Sequence, residues 1–184
     1  SRGLGDVYKR QEERMCLLME TKIRQAESVK DSVCGQFQWI YSSHDNPGRR
    51  QPDEALRRID KVGPFNYKGL VTPWEEPLDV YYMYKSNYRL PEEEPMVYLV
   101  SHTWNNRFEK SGRRRATIEA YSNCDSVLLY NDATNDVYLG RKVNHGRGTH
   151  FTWENRDIRY NVLRAVGYYD GKPAAEDVLV LKGL

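Results

Sequence analysis

Residues that could carry out chemistry are scattered along this chain, and few of them have a spacing that points to a reaction. Cys16, Cys34 and Cys124 are far apart and odd in number, which argues against both a paired-cysteine metal site and a disulfide framework. Each is interpreted as a buried structural thiol. The acidic residues 92–94 lie between prolines, and we interpret them as a solvated charge run rather than a catalytic pair.

A polar stretch over residues 42–64 holds the better candidates for ligand contact. His44, Asp45 and Asn46 follow one another there, and their side chains could hydrogen-bond hydroxyl groups. A lone histidine is more often structural, and neither Asp45 nor Asp53 has a recognisable partner for a catalytic pair. The same stretch carries four arginines that could suit an acidic ligand, although solvation of a loop is the preferred interpretation: Arg49, Arg50, Arg57 and Arg58.

The bulk composition limits the classes of protein to consider. The chain has 184 residues, of which 39% are apolar, enough for one domain or two small ones. Its formal net charge of +2 gives no argument for nucleic-acid binding. No apolar run approaches the length of a membrane span, and no signal peptide is visible at residue 1. The 14 tyrosines favour β-structure.

The pattern of apolar side chains predicts the elements of the N-terminal half. Residues 1–11 have no periodic pattern and resemble a translated sequencing-adapter tail, so we expect a non-native segment that is disordered or arbitrary. Over residues 12–30 apolar side chains recur every three or four positions, which predicts an amphipathic helix. Residues 32–41 are rich in β-formers and predict a buried strand. A helix followed by such a strand indicates an αβ unit with a parallel sheet.

The character of the sequence changes near residue 90. Before that point, residues 42–64 form a long loop, and long ordered loops are usually functional. Pro77 opens a second predicted helix that continues to about Tyr88, with Asp79 in its first turn, where a carboxylate suits the helix dipole. The acidic, proline-flanked residues 90–95 are the predicted domain boundary.

The region after this boundary is predicted to consist of strands. Short strands separated by turns suggest an immunoglobulin-like β-sandwich over residues 91–184. Asp170 and Gly171 are a hairpin signal between the last two strands, and Trp153, which alternates with Phe151, is assigned to the core. The predicted strands are residues 96–103, 115–122, 126–130, 137–143, 150–153, 161–169 and 177–181.

Three stretches, in this order along the chain, carry a resemblance to a known family. The first joins residues 24–27 to residues 34–39, with the sequence Cys-Gly-Gln-Phe-Gln-Trp. The second is residues 66–71 followed by residues 77–86. The third lies in the predicted sandwich and comprises residues 95–98, 102–104, 121–125, 139–142 and 163–166.

Together these stretches resemble the C-terminal end of the family 2 glycoside hydrolases, in the branch of β-galactosidase-like enzymes. The resemblance implies an α/β plus all-β fold, with residues 12–90 as the terminal αβα piece of a (β/α)8 barrel, followed by the immunoglobulin-like β-sandwich. It also implies a retaining enzyme whose two catalytic glutamates lie upstream of Glu12, so no residue here is predicted to be catalytic. One departure is the hairpin between Leu129 and Leu139, which is longer than the family's tight turn.

The resemblance gives Trp39 a role near the end of the eighth barrel strand. Its ring would stack on a sugar beside the reacting bond, and a tryptophan in the barrel core is the alternative. His44, Asp45 and Asn46 would be further substrate-binding residues on the loop that follows.

The parent enzyme would be a periplasmic or secreted exo-glycosidase acting on a β-glycoside, and this chain would pack on its N-terminal part. No cofactor, metal, nucleic acid or membrane partner is predicted, and the chain alone is expected to be inactive. His102 and Trp104 would pack against the barrel, with sugar contact as the less favoured role. The alternative to a glycosidase is a non-catalytic carbohydrate-binding or structural β-sandwich module.

Overall fold

The computed structural model describes residues 2–45, 65–66, 68–100, 102, 115–134 and 136–181. In these residues it contains two helices, α1 (Arg2–Ser28) and α2 (Asp79–Tyr88), and between them a short antiparallel ladder of β1 (His44–Asp45) and β2 (Phe65–Asn66). The strands that follow α2 are β3 (Val97–Leu99), β4 (Arg115–Ser122), β5 (Ser126–Tyr130), β6 (Tyr138–Val143), β7 (Phe151–Asp157), β8 (Val162–Tyr169) and β9 (Lys172–Val180).

Helix α1 has the amphipathic character that the sequence predicted, because Cys16 and Ile23 are buried on one side of it. The helix begins at Arg2, so the backbone from Arg2 onward is helical rather than disordered. A formed helix extends readily, since each added residue gains a hydrogen bond without a new nucleation step. That these residues are non-native stays a prediction.

The predicted buried strand over residues 32–41 is wrong. The chain is exposed and belongs to no strand there, and Cys34 is exposed, which corrects its assignment as a buried thiol. A strand needs a hydrogen-bonding neighbour. In the described part of the chain, the parallel pairing next to this segment is one isolated bridge between Ser42 and Val71, so the predicted parallel sheet is reduced to that bridge.

Helix α2 begins at Asp79 rather than at Pro77. Pro77 instead forms an antiparallel bridge with Val71, which holds it outside the helix. Asp79 keeps its predicted place in the first turn, and the amide of Arg89 closes the other end by donating to the Lys85 carbonyl at 3.0 Å. The helix is therefore short and fixed at both ends.

The predicted β-sandwich is confirmed. The strands after α2 form two antiparallel sheets, with the orders β3-β4-β7 and β6-β5-β8-β9. Strands β8 and β9 are joined by the predicted tight turn, in which Asp170 and Gly171 have φ values of 49° and 72°. The longer hairpin after β5 is closed by Asp132, whose Oδ2 accepts the amides of Asp136 and Val137 at 2.9 and 2.8 Å.

The main core fills the space between the two sheets. Trp153, Leu99, Ile118, Leu129 and Leu163 are almost completely buried there, and the predicted core position of Trp153 is confirmed. Full burial of such a side chain stabilises the fold by about 1.5–3 kcal/mol. The core therefore belongs to the sandwich alone.

A second apolar cluster joins the helices to the sandwich. Ile23 of α1 and Met83 of α2 meet Tyr98 and Tyr121 on the outer face of the three-stranded sheet. Cys16 lies in the same cluster, where burial raises the pKa of its thiol to about 12 and leaves it protonated at physiological pH. The helices are thus packed on the sandwich rather than tethered beside it.

Candidate functional site

An exposed row of aromatic side chains follows helix α1. Phe37, Trp39 and Tyr41 occupy alternate positions of the segment after the helix, and their exposed fractions are 102%, 77% and 58%. We refer to these three residues as the aromatic strip.

Two glutamines of the same segment dock it on helix α2. Gln36 Nε2 donates to the Tyr88 hydroxyl at 2.6 Å, and the Tyr84 hydroxyl donates to Gln38 Oε1 at 3.3 Å. Gln36 and Gln38 therefore hold the segment against α2, while the rings of the aromatic strip remain exposed.

The end of the aromatic strip is anchored by backbone hydrogen bonds. The Tyr41 carbonyl accepts the amides of Leu70 and Val71 at 2.7 and 3.1 Å, and the Ser43 amide donates to the Val71 carbonyl at 3.0 Å. Gly69 allows residues 41–43 and 69–71 to approach closely, because a Cβ at this position would lie 2.1 Å from the Ser43 nitrogen. Residues 69–71, which belong to the second stretch of the family resemblance, thus fix the position of the strip.

The polar residues predicted to bind a ligand follow directly. His44 is exposed, with Nδ1 3.4 Å from the Ser42 carbonyl, and β1 pairs it with Asn66. The backbone of Asp45 pairs with Phe65 in the same ladder. The side chain of Asp45 lies outside the described part of the structure, as do Asn46, Asp53, Trp104, Arg49, Arg50, Arg57 and Arg58.

A pair of carboxyl groups that the sequence did not reveal lies where the two helices meet. The Asp79 amide donates to Glu12 Oε2 at 3.4 Å. Burial, and then the charge of Asp79, raise the pKa of Glu12 to about 7. The Tyr98 hydroxyl donates to Asp79 Oδ1 at 2.6 Å, and burial raises the pKa of that hydroxyl above its usual range. The bond between Asp79 and Tyr98 thus joins α2 to the sandwich.

His102 lies next to this junction. Its ring stacks on Tyr98, with centroids 4.8 Å apart, and Tyr98 stacks in turn on Tyr82 at 3.8 Å. His102 Nε2 is 2.6 Å from Asp177 Oδ2, an atom that also accepts the Leu99 amide at 2.7 Å. These contacts fix His102 within the helix–sandwich interface and give it a packing role, while sugar contact by this residue stays a prediction.

The chemistry available on the aromatic strip is binding rather than proton transfer. Its rings offer planar apolar faces, and none of the three side chains carries a carboxyl, imidazole or thiol group. Among the described residues, no group of three or more histidine, cysteine, aspartate or glutamate side chains could hold a metal ion. Within that same part of the chain, neither helix is long and apolar enough to cross a membrane.

Known proteins resemble part of this chain. Residues 114–175 match a family described as a domain of unknown function, DUF4982. Over 113 residues, or 61% of this chain, the sequence is 33% identical to a putative β-glucuronidase of Formosa agariphila, of which it covers 12%.

Solved structures show the same relationship. Parabacteroides merdae β-glucuronidase is similar with a TM-score of 0.66 and 25% identity, over 89% of this chain and 20% of that one. A β-glucuronidase from glycoside hydrolase family 2 is similar with a TM-score of 0.55 and 26% identity, over 79% of this chain and 13% of that one.

The chain is therefore homologous to β-glucuronidases over part of its length, and it spans 12% of the curated relative that it matches. The predicted relationship to glycosidases is confirmed at this level. The predicted β-galactosidase branch is not supported, since these relatives are named β-glucuronidases.

Proposed function

We propose that this chain forms part of a retaining β-glycosidase of glycoside hydrolase family 2. In this proposal, residues 12–90 complete the wall of a (β/α)8 barrel, and the sandwich braces that wall. The substrate is a β-glycoside, and the homology to a putative β-glucuronidase favours a β-glucuronide over the β-galactoside that the sequence suggested.

The observation that carries the proposal is that residues 36–41 dock on helix α2 while their aromatic side chains remain exposed. A strand of a (β/α)8 barrel lies between an outer helix and the barrel interior. Gln36 and Gln38 bind helix α2, and the rings of the aromatic strip are exposed among the described residues. Aromatic side chains this exposed are accounted for if they line the interior of a barrel that other parts of the enzyme complete.

The carboxyl groups bear on which part of the enzyme is catalytic and which part binds the substrate. Retaining hydrolysis needs two carboxyl groups about 5–5.5 Å apart, and the junction pair cannot serve, because Asp79 is buried and bound to Tyr98. We place the catalytic glutamates in the rest of the enzyme, as the family resemblance implies. In this chain Trp39 stacks on the substrate, while His44, with Asp45 and Asn46, hydrogen-bonds its hydroxyl groups.

The proposal is tested on the whole enzyme, expressed from the complete gene and assayed with nitrophenyl β-glucuronide and nitrophenyl β-galactoside. We expect turnover of the glucuronide, and a Trp39→Ala variant with kcat/KM lowered by about 10- to 100-fold, since a tryptophan face is lost. Trp74→Ala is the matched control, because Trp74 is equally exposed, at 78%, but lies on the turn before α2.

Two outcomes would contradict the proposal. An inactive whole enzyme would remove the assignment to glycosidases, and equal losses in the Trp39 and Trp74 variants would remove the role of the aromatic strip. The 184-residue chain alone is expected to give no turnover above background. Turnover by the purified chain would show that its own carboxyl groups are catalytic.

A further inference from the structure

A shallow groove of about 450 Å³ crosses the outer face of the four-stranded sheet. Its lining includes Tyr130, Arg164, Val166, Tyr168 and Glu176. Arg164, Val166 and Tyr168 alternate along β8, so they share the face that points away from the inter-sheet core. The volume lies within the range of sites for small ligands.

Two tyrosines line this groove, Tyr130 on β5 and Tyr168 on β8. Tyr130 pairs across the ladder with Arg164 and, on its other side, with Tyr138, whose ring centroid is 5.5 Å from that of Tyr130. Tyr168 lies further along β8, about 13 Å from Arg164 at the rise of an extended strand. Tyr138 is 53% exposed, and Tyr130 and Tyr168 are half-buried, so the rings can meet a ligand without rearrangement.

An ion pair in the lining of the groove joins β8 to β9. Arg164 Nη2 donates to Glu176 Oε2 at 2.6 Å, and the exposed fractions of the two side chains are 21% and 56%. A guanidinium offers only donors and a carboxylate only acceptors, so together they can bind both the oxygen and the hydrogen of a hydroxyl group. Because the two charges cancel, the groove favours an uncharged ligand.

We propose that this groove is a second binding site, for an uncharged oligosaccharide, separate from the aromatic strip at Trp39. A pyranose ring has apolar faces that suit Tyr130 and Tyr168, and hydroxyl edges that suit Arg164 and Glu176. The choice of a saccharide over another amphipathic ligand rests on the proposed function, whereas the position of the groove does not. The sandwich then holds the enzyme on a glycan while the reaction takes place elsewhere.

The test is a titration of the ¹⁵N-labelled 184-residue chain, followed by its amide resonances. The probes are cellohexaose, xylohexaose and mannohexaose, with an oligoglucuronate as the charged comparison. We expect a neutral probe to shift the β8 and β9 amides at the groove. A Tyr168→Ala variant is expected to bind about tenfold more weakly. Tyr160→Ala is the matched control, since Tyr160 is 53% exposed outside the groove lining, and it should keep the wild-type affinity.

The outcomes separate this proposal from the preceding one. Absence of shifts with every neutral probe, stronger binding of the oligoglucuronate, or shifts confined to residues 36–41 would each overturn the groove site. If Tyr168→Ala fails to fold, Glu176→Gln replaces it, because that side chain is exposed, and it must also weaken binding. Failure of the whole enzyme to cleave glycosides would overturn the proposed function and leave the titration result unchanged.

Discussion

His150 Nδ1 lies 2.8 Å from Glu20 Oε1, which joins helix α1 to the residue that precedes β7. Glu119 of β4 approaches the other ring nitrogen at 3.6 Å. The carboxylates of Glu119 and Glu20 raise the pKa of His150 to about 10, against the opposing effect of burial. Glu20 is 2% exposed, so the helix is held to the sandwich by an ion pair between a buried carboxylate and a partly buried histidine.

This pair predicts how stability depends on pH. As pH rises from about 6.5, the unfolded chain releases the His150 proton first, because the folded-state pKa is higher, about 10. The contribution of His150 is full below pH 6.5 and is lost as pH rises towards 10, at no more than about 1.4 kcal/mol per pH unit. Urea unfolding at several pH values in this range measures how the free energy of unfolding falls with pH. The His150→Gln variant should be less stable than wild type and should not show this fall. The variant of the exposed His145, His145→Gln, should show the same fall as wild type, and a wild-type free energy that does not change with pH would contradict the prediction.

Glu12→Gln is expected to stabilise the chain at high pH. The pKa of Glu12 rises from 4.5 to about 7 on folding, so native stability falls as pH rises through this window, in which only the unfolded chain gains the charge. Glutamine removes that loss and keeps an oxygen to accept the Asp79 amide. Thermal unfolding should give a higher Tm for the variant at about pH 8 and no difference at about pH 4. The exposed Glu93→Gln serves as the control, and a variant that is less stable at the higher pH would refute the burial argument.

Gly69→Ala is expected to loosen the anchor of the aromatic strip. The added Cβ would lie 2.1 Å from the Ser43 nitrogen and 2.6 Å from the Val71 carbonyl oxygen, and such overpacking costs about 1–3 kcal/mol. Hydrogen exchange should show lost protection at the Leu70 and Val71 amides, which donate to the Tyr41 carbonyl.

The control for this change is Gly146→Ala. A Cβ there meets nothing within 4 Å, although its φ of 92° adds strain. This variant should lose some stability but keep the protection at residues 70 and 71. If both alanine variants lose that protection equally, close approach at Gly69 is not what fixes the strip.

Asn131→Ala is expected to cost about 3 kcal/mol or more of unfolding free energy. The side chain is fully buried and donates to the carbonyls of Tyr160 and Val162, each at 2.8 Å, and its Oδ1 accepts the amides of Arg159 and Tyr160 at 2.5 and 3.0 Å. Its loss leaves four partly buried backbone groups without these partners, and a Tm lower by roughly 6–12 °C should follow. Asn161→Ala, at an exposed position, should change Tm little, and equal effects would show that burial is not the cause.

The sandwich could be predicted from the sequence because its signals are local. Alternation of apolar and polar residues sets which face of a strand is buried, and the Asp170-Gly171 turn sets the register of β8 and β9. The predicted and observed bounds of β4 and β5 agree for the same reason. The family resemblance added the role of Trp39, which no local pattern contains.

The junctions between elements were decided by tertiary structure alone. Glu12 meets Asp79 across 67 positions, and Glu20 meets His150 across 130, so no window of sequence contains both partners. The segment at residues 32–41 shows the converse, because its β-forming residues cannot become a strand without a neighbour to accept and donate hydrogen bonds. Local pattern therefore determined which residues could form the sandwich, while burial and long-range pairing decided which carboxyl groups stay protonated and which aromatic rings stay exposed.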